Sequence, residues 1–304
     1  MAGIAAGSGY RSDGAYAGVA PKANLISLRV SDDAGMSYES DVVSALQWVY
    51  DNKSGYNIRV VNLSLNSTAP VSYHQSPLDA AVEILWFNGV VVVASAGNYS
   101  TGPGNPILSA PANDPFIITV GAMDEKGTSN RRDDVWANFS AIGKTQDGFS
   151  KPEIHAPGKD IVSVYNGAGQ WASLYPDRVV MNNDYFRLSG TSMSAPMVAG
   201  VVALLLQDEP NLTPDQVKYR IINSSPWQGS VRYLDAYAVI KGTSTNSSNT
   251  GIAASQLLWT GSNPITWNSV GWNSVGWNSV GWNSVGWNSV GWNSVGWNST
   301  FWGQ

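Results

Sequence analysis

The chain of 304 residues contains no cysteine. That absence excludes a disulfide framework, a thiolate metal site and a cysteine nucleophile, and it says little about compartment, because many exported bacterial proteins also lack thiols. Histidine is almost as scarce, with only His74 and His155 to serve acid–base chemistry near neutral pH. Basic charge is short too: 17 Lys and Arg stand against 22 Asp and Glu, for a net charge of -5, with no basic run. A nucleic-acid partner and an anionic membrane surface are therefore not expected. No window reaches the ~18 consecutive apolar residues of a membrane span. The opening "MAGIAAGSGY" lacks a cationic n-region and is broken by glycines, so it does not read as a signal peptide. The chain is then expected either to stay in the cytosol or to lack its natural front.

What is present is ample core material, 43% of the residues being hydrophobic. Short apolar runs rich in β-branched residues alternate with helical patterns. Asn24 to Val30 ("NLISLRV"), Ile58 to Leu65 ("IRVVNLSL"), Gly89 to Asn98 ("GVVVVASAGN") and Phe116 to Ala122 ("FIITVGA") read as strands. Val42, Val43, Leu46 and Val49 recur at helical spacing, and Pro77 to Asn88 reads as a helix. Near-continuous apolar strands are those buried on both faces, so the order predicts a parallel sheet with helices on each side.

The segment Thr191 to Gln207 is apolar almost all round and predicts a helix in the middle of the domain, with Pro196 near its start, where a missing N–H costs least. The next helix has Thr213 as N-cap, Pro214 at the first position and Gln216 completing a capping box. After Lys241 the composition shifts. We expect a large domain over 1–241, a Gly/Ser/Thr/Asn linker over 242–258, and a tail over 259–304 built on the pentapeptide Trp-Asn-Ser-Val-Gly. A period of five keeps the Trp row on one face of neither a strand nor a helix. Three readings of the tail stay open: a stacked solenoid, a low-complexity segment, or a sticky module whose flat aromatics meet sugar rings or a cell-surface partner.

Three segments carry chemistry. In "SGTSMSAP" small residues make a tight turn and set Ser192 in the first turn of the buried helix, where free N–H groups and the dipole favour an oxyanion. In "VVVASAGN" a strand ends in Ser95, Ala96 and Gly97 and leaves Asn98 past the carboxyl end of the sheet, where its amide can donate to the same oxyanion. The third, "NLSLN" (Asn62 to Asn66), ends a neighbouring strand and offers an edge to extended peptide.

"LSGTSMSAPMVAGVVALL", "SAGN" and "KPEIHAPGKDI" resemble, in order, the nucleophile, oxyanion-hole and Ala-Pro-Gly motifs of the subtilisin-like serine peptidases, and "VVNLSL" fits the same pattern. The resemblance covers residues 1 to about 241. It implies an α/β fold, a three-layer sandwich with a mostly parallel central sheet, and a secreted or cell-surface endopeptidase acting on protein or peptide substrates. It implies Ser192 as acylating nucleophile and Asn98 as oxyanion donor. It also implies that Ser64, Leu65 and Asn66, with Ser95, Ala96 and Gly97, wall the pocket for the substrate's primary side chain.

The family's order is Asp, His, Ser, with the His in a motif His-Gly-Thr-His-x-Ala-Gly. Met1 stands where that motif has its x, so the catalytic His and Asp are expected before residue 1. His74 reads as a surface-loop residue and His155 as a hydrogen-bonded structural one, and neither is a candidate base. The chain alone is then expected to be essentially inactive. No cofactor is required for the chemistry. Calcium commonly stabilises the family, but no D-x-D-x-D loop is present and no site is assigned. Gly167 to Arg187 looks longer than a minimal version and is expected as a hairpin near the cleft. The α/β-hydrolase and β-lactamase alternatives fail, because Ser192 lies in neither G-x-S-x-G nor S-x-x-K. A non-enzyme alternative is a pseudoenzyme or polysaccharide-binding protein that acts through the Trp repeat.

Overall fold

In the computed structural model the valine-rich runs pair as parallel strands. Val60–Leu63, Val91–Ser95, Ile118–Asp124 and Ile154–Pro157 lie side by side in that order, with Val61 opposite Val92, Val93 opposite Ile118 and Gly121 opposite His155. Val135–Trp136 adds antiparallel to the end of Ile118–Asp124. The structure describes residues 1–32, 35–99, 107, 109–167, 171–181, 183–258, 265–267 and the backbone of 295–296.

Every residue of Val91–Ser95 and Ile118–Asp124 is buried, as expected of strands covered on both faces. The helix Thr191–Asp208 packs against all four parallel strands, while Pro77–Phe87 packs on Val91–Ser95 and carries Glu39–Tyr56 outside it. The result is a sandwich of helix, sheet and helix. A short N-terminal helix, Ala2–Ala6, lies against the central helix at Gly200. There a Cβ would come within 2.6 Å of Val19 Cβ, so only glycine permits that approach. The helix Pro214–Ser224 opens with the expected capping box between Thr213 and Gln216.

Three expectations are corrected. Asn24 to Val30 forms no strand among the described residues, and Leu25, Ile26 and Leu28 are exposed. Its composition favours extended backbone, but a strand also needs an edge to pair with, and none reaches it among the described residues. Val60–Leu63 correspondingly has one unpaired edge among the described residues.

The stretch 242–258 does not behave as a linker. Ser255 N–H donates to Glu83 Oε2 at 2.8 Å, Asn249 Nδ2 donates to Asp215 Oδ1 at 2.7 Å, and Leu258 is buried in the core. Its Gly, Ser and Asn content suits a backbone held by hydrogen bonds as well as one left free. Trp267 continues the packing, buried against Tyr50.

Pro196 is the sixth residue of its helix, beyond the first turn. Its missing N–H therefore leaves the Ser192 carbonyl without its usual partner four residues on, and another donor takes it.

Candidate active site

Two strand ends and the start of the central helix meet at the carboxyl edge of the sheet. Ser192 is buried to within 8% exposure, and its Oγ donates to the Ser64 carbonyl at 3.3 Å. Ser64 Oγ returns a bond to the Ser192 carbonyl at 2.9 Å and is itself held by Asn62 Nδ2 at 2.9 Å. One turn along, Asn66 Nδ2 donates to the Ser95 carbonyl at 2.9 Å and Ser95 Oγ donates to Asn66 Oδ1 at 3.4 Å. Leu65 packs on the core and Ala96 is buried beside Ile107, Ala112 and Ala141. Ser64 is thus bonded to Ser192, and Asn66 to Ser95.

Asn98 is set by Thr191. Its Oδ1 accepts from Thr191 N–H at 2.8 Å and from Thr191 Oγ1 at 2.9 Å, while Thr191 Oγ1 accepts from Gly97 N–H at 3.1 Å. With Oδ1 committed, the amide's remaining donor Nδ2 faces Gly190, where a Cβ would stand 3.1 Å from it. A side chain at 190 would crowd the donor, which is why the tight turn before Ser192 needs glycine. Sequence reasoning read Thr191 only as a small turn residue. Its side chain is the link that joins the Ser95–Asn98 loop to the helix start, and nothing in a linear motif marks that bridge.

The geometry places a hydroxyl in the first turn of a helix next to an oriented side-chain amide. Such an arrangement can hold a carbonyl for attack and stabilise the oxyanion that forms. No histidine or carboxylate bonds to Ser192 Oγ among the described residues. His155 lies in the Ile154–Pro157 strand with its ring against Gly121, fully buried, and burial pushes its pKa down to about 4 against a smaller opposing pull from the Arg232 backbone. It is structural, yet its ring nitrogens make no hydrogen bond of ordinary geometry, in contrast to the expectation. His74 is half-buried in a turn rather than at the surface, its ring 4.0 Å from that of Tyr73 and its carbonyl accepting from Gln256 N–H and Ser255 Oγ. The packed 242–258 stretch is what covers it.

The long segment after the Ala-Pro-Gly motif forms a small antiparallel sheet, Ile161–Val164 with Tyr185–Leu188 and Val179–Val180. Among the described residues no group of three or more acidic or histidine side chains is placed to hold a metal ion.

The description of the subtilase family, Peptidase_S8, matches residues 1–260. The chain belongs to the subtilase family. It is 38% identical over 229 residues to serine protease AprX of Bacillus subtilis (strain 168), covering 74% of this chain and 51% of that protein. With subtilisin DY of Bacillus licheniformis it shares 33% identity over 216 residues, 71% of this chain and 66% of the relative. The chain thus spans about half to two thirds of the length of these relatives. Among solved structures it resembles a cold adapted subtilisin-like serine proteinase, at a TM-score of 0.58 and 27% identity over 77% of this chain and 72% of that one. The S41 psychrophilic protease gives a TM-score of 0.59 at 27% identity, over 74% of this chain and 67% of that one. The subtilisin-like sandwich inferred from sequence is therefore the fold.

Proposed function

We propose that the chain carries the nucleophile half of a secreted serine endopeptidase, cleaving peptide bonds of protein or peptide substrates through an acyl-enzyme on Ser192. The observation that carries the reading is the pairing of Ser192 at a helix start with the Asn98 amide, oriented by Thr191, in a chain of this family. Ser192 Oγ attacks the scissile carbonyl and its proton passes to a base, which returns it to the leaving amine. Asn98 Nδ2 and the helix N–H groups meet the developing oxyanion. Ser64 to Asn66 and Ser95 to Gly97 wall the cleft.

The base is an imidazole held by a carboxylate, supplied by polypeptide outside the described residues. The edge of Val60–Leu63, unpaired among the described residues, supports a further strand at that side of the sheet. Alone, the chain is essentially inactive. The test is fluorophosphonate labelling and hydrolysis of a chromogenic peptide amide, with the chain alone and with it joined to a segment bearing the Asp and His motifs. Labelling of Ser192 and hydrolysis only in the joined protein, both lost in Ser192→Ala, are expected. Hydrolysis at peptidase rates by the chain alone would place a base within it and overturn the inactivity.

A further inference from the structure

The side chain of Asn66 crosses between the two segments that wall the proposed pocket for the substrate's primary side chain. Its Nδ2 donates to the Ser95 carbonyl at 2.9 Å and its Oδ1 accepts from Ser95 Oγ at 3.4 Å, so one carboxamide engages both the backbone and the hydroxyl of the facing segment. Its direction is fixed by its neighbour. Ser67, next in the Asn66–Ser67 strand, sends its hydroxyl to Glu39 Oε2 at 3.3 Å, and its N–H donates to the Ala110 carbonyl at 2.7 Å. Successive side chains of an extended segment point to opposite faces, so the anchorage of Ser67 on Glu39 leaves Asn66 turned to Ser95. Both segments are closed to solvent there: Ser64, Asn66, Ser95, Ala96 and Gly97 are buried, and Leu65 is half-buried. Gly97 has no side chain, but the ring of Tyr99 takes up the place where one would stand, since a Cβ at 97 would come within 2.3 Å of Tyr99 Cε1.

We infer that Asn66 sets the substrate preference of the cleft: its carboxamide closes the primary pocket to large side chains and leaves room for glycine, alanine or serine before the scissile bond. The inference deepens the proposed function and rests on it, because it names what that same cleft accepts. Small lining residues such as Ala96 and Gly97 would by themselves leave a roomy slot, and the bridge is what limits it. A bulky side chain enters between the two segments only if the carboxamide swings out. That motion breaks both bonds to Ser95 and leaves a buried carbonyl without its donor, the costly side of a hydrogen-bond exchange. The hydrogen of glycine, the methyl of alanine or the short hydroxymethyl of serine enters with the bridge intact. The penalty against a large side chain corresponds to roughly 5- to 150-fold in kcat/KM.

The test uses the chain joined to a segment bearing the Asp and His motifs and two chromogenic tetrapeptide amides that differ only before the scissile bond, with alanine in one and phenylalanine in the other. The unaltered protein is expected to cleave the alanine amide with a kcat/KM higher by about fivefold or more. Asn66→Gly removes the bridge, and the ratio of phenylalanine to alanine kcat/KM is expected to rise by about tenfold or more. Both amides are measured on one preparation, so any loss of folded protein cancels from the ratio. Asn66→Ala keeps a Cβ, adds no backbone freedom and is expected to shift the ratio in the same direction, which covers the case of a glycine variant that does not fold. A preference for phenylalanine in the unaltered protein, or an unchanged ratio in the variants, overturns the inference and leaves the peptidase reading in place. Cleavage of neither amide, with Ser192 unlabelled by fluorophosphonate, overturns the peptidase reading itself and the inference with it.

Discussion

Ser64 and Ser192, 128 residues apart, exchange hydrogen bonds in both directions: Ser192 Oγ donates to the Ser64 carbonyl and Ser64 Oγ donates to the Ser192 carbonyl. The second bond exists because Pro196 has no N–H to offer that carbonyl. Replacing Ser64 with alanine leaves a buried acceptor without a partner. It should cost about 1–3 kcal/mol of unfolding free energy in a urea titration. Pro196→Ala restores a donor, so in the Ser64→Ala background it should recover part of the loss, with a coupling of about 1 kcal/mol. Additive effects would show that the two residues do not compete for one carbonyl.

Asn98→Ala removes the amide donor and the acceptor that Thr191 uses twice. In a protein complete with its base, turnover should fall on the order of 100 to 1,000-fold with KM little changed, a scale taken from the corresponding asparagine of subtilisin. A fall in kcat/KM that lies wholly in KM would mean that Asn98 binds substrate and does not serve the transition state.

The parallel strands, the buried helix and the small-residue turn that sets Ser192 at its start were legible because each rests on a local pattern: β-branched runs, all-round apolarity, a run of small residues. What was not legible depends on distant partners. Asn24 to Val30 has strand composition but finds no edge to join among the described residues, and the polar 242–258 stretch looks like a linker until Glu83 and Asp215 are seen to receive its N–H groups. The strand at Val295–Gly296 was hidden for the opposite reason. A period of five suits no repeating element, yet Val295–Gly296 pairs antiparallel with Met36–Ser37 and Asn66–Ser67.

At the opposite end of the strands Glu153 holds two buried lysines, with Lys151 Nζ at 2.6 Å and Lys218 Nζ at 2.7 Å. Burial alone would raise the Glu153 carboxyl, but the two ammonium groups keep it below its usual range. Lys218 also donates to the carbonyls of Pro115, Phe116 and Ile117, which fixes the entry to the Ile118–Asp124 strand. Glu153→Gln should therefore destabilise by about 3–5 kcal/mol, because two buried cations lose their counter-charge. A loss below about 1 kcal/mol in the same titration would show that the carbonyls alone satisfy the lysines.

Two buried groups act on stability in opposite senses between about pH 4 and 6.5. His155 is held neutral by burial with its pKa near 4, so the unfolded chain binds its proton first, and stability falls as pH drops from about 6.5 to about 4. Asp114 is raised to about 6 by burial, against the pull of Lys151, the Phe116 and Ile117 N–H groups and Lys218; Asp79 and Glu83 crowd the same site. Its folded form binds the proton first, so this contribution is fully present below about pH 4 and is lost as pH rises to about 6. His155→Gln should thus make the protein gain stability, relative to the unaltered chain, as pH falls from 6.5 to 4. Asp114→Asn should make it lose stability faster over the same range. Thermal or urea midpoints at half-unit pH steps separate the two, and parallel pH profiles for all three proteins would mean that neither group titrates with folding.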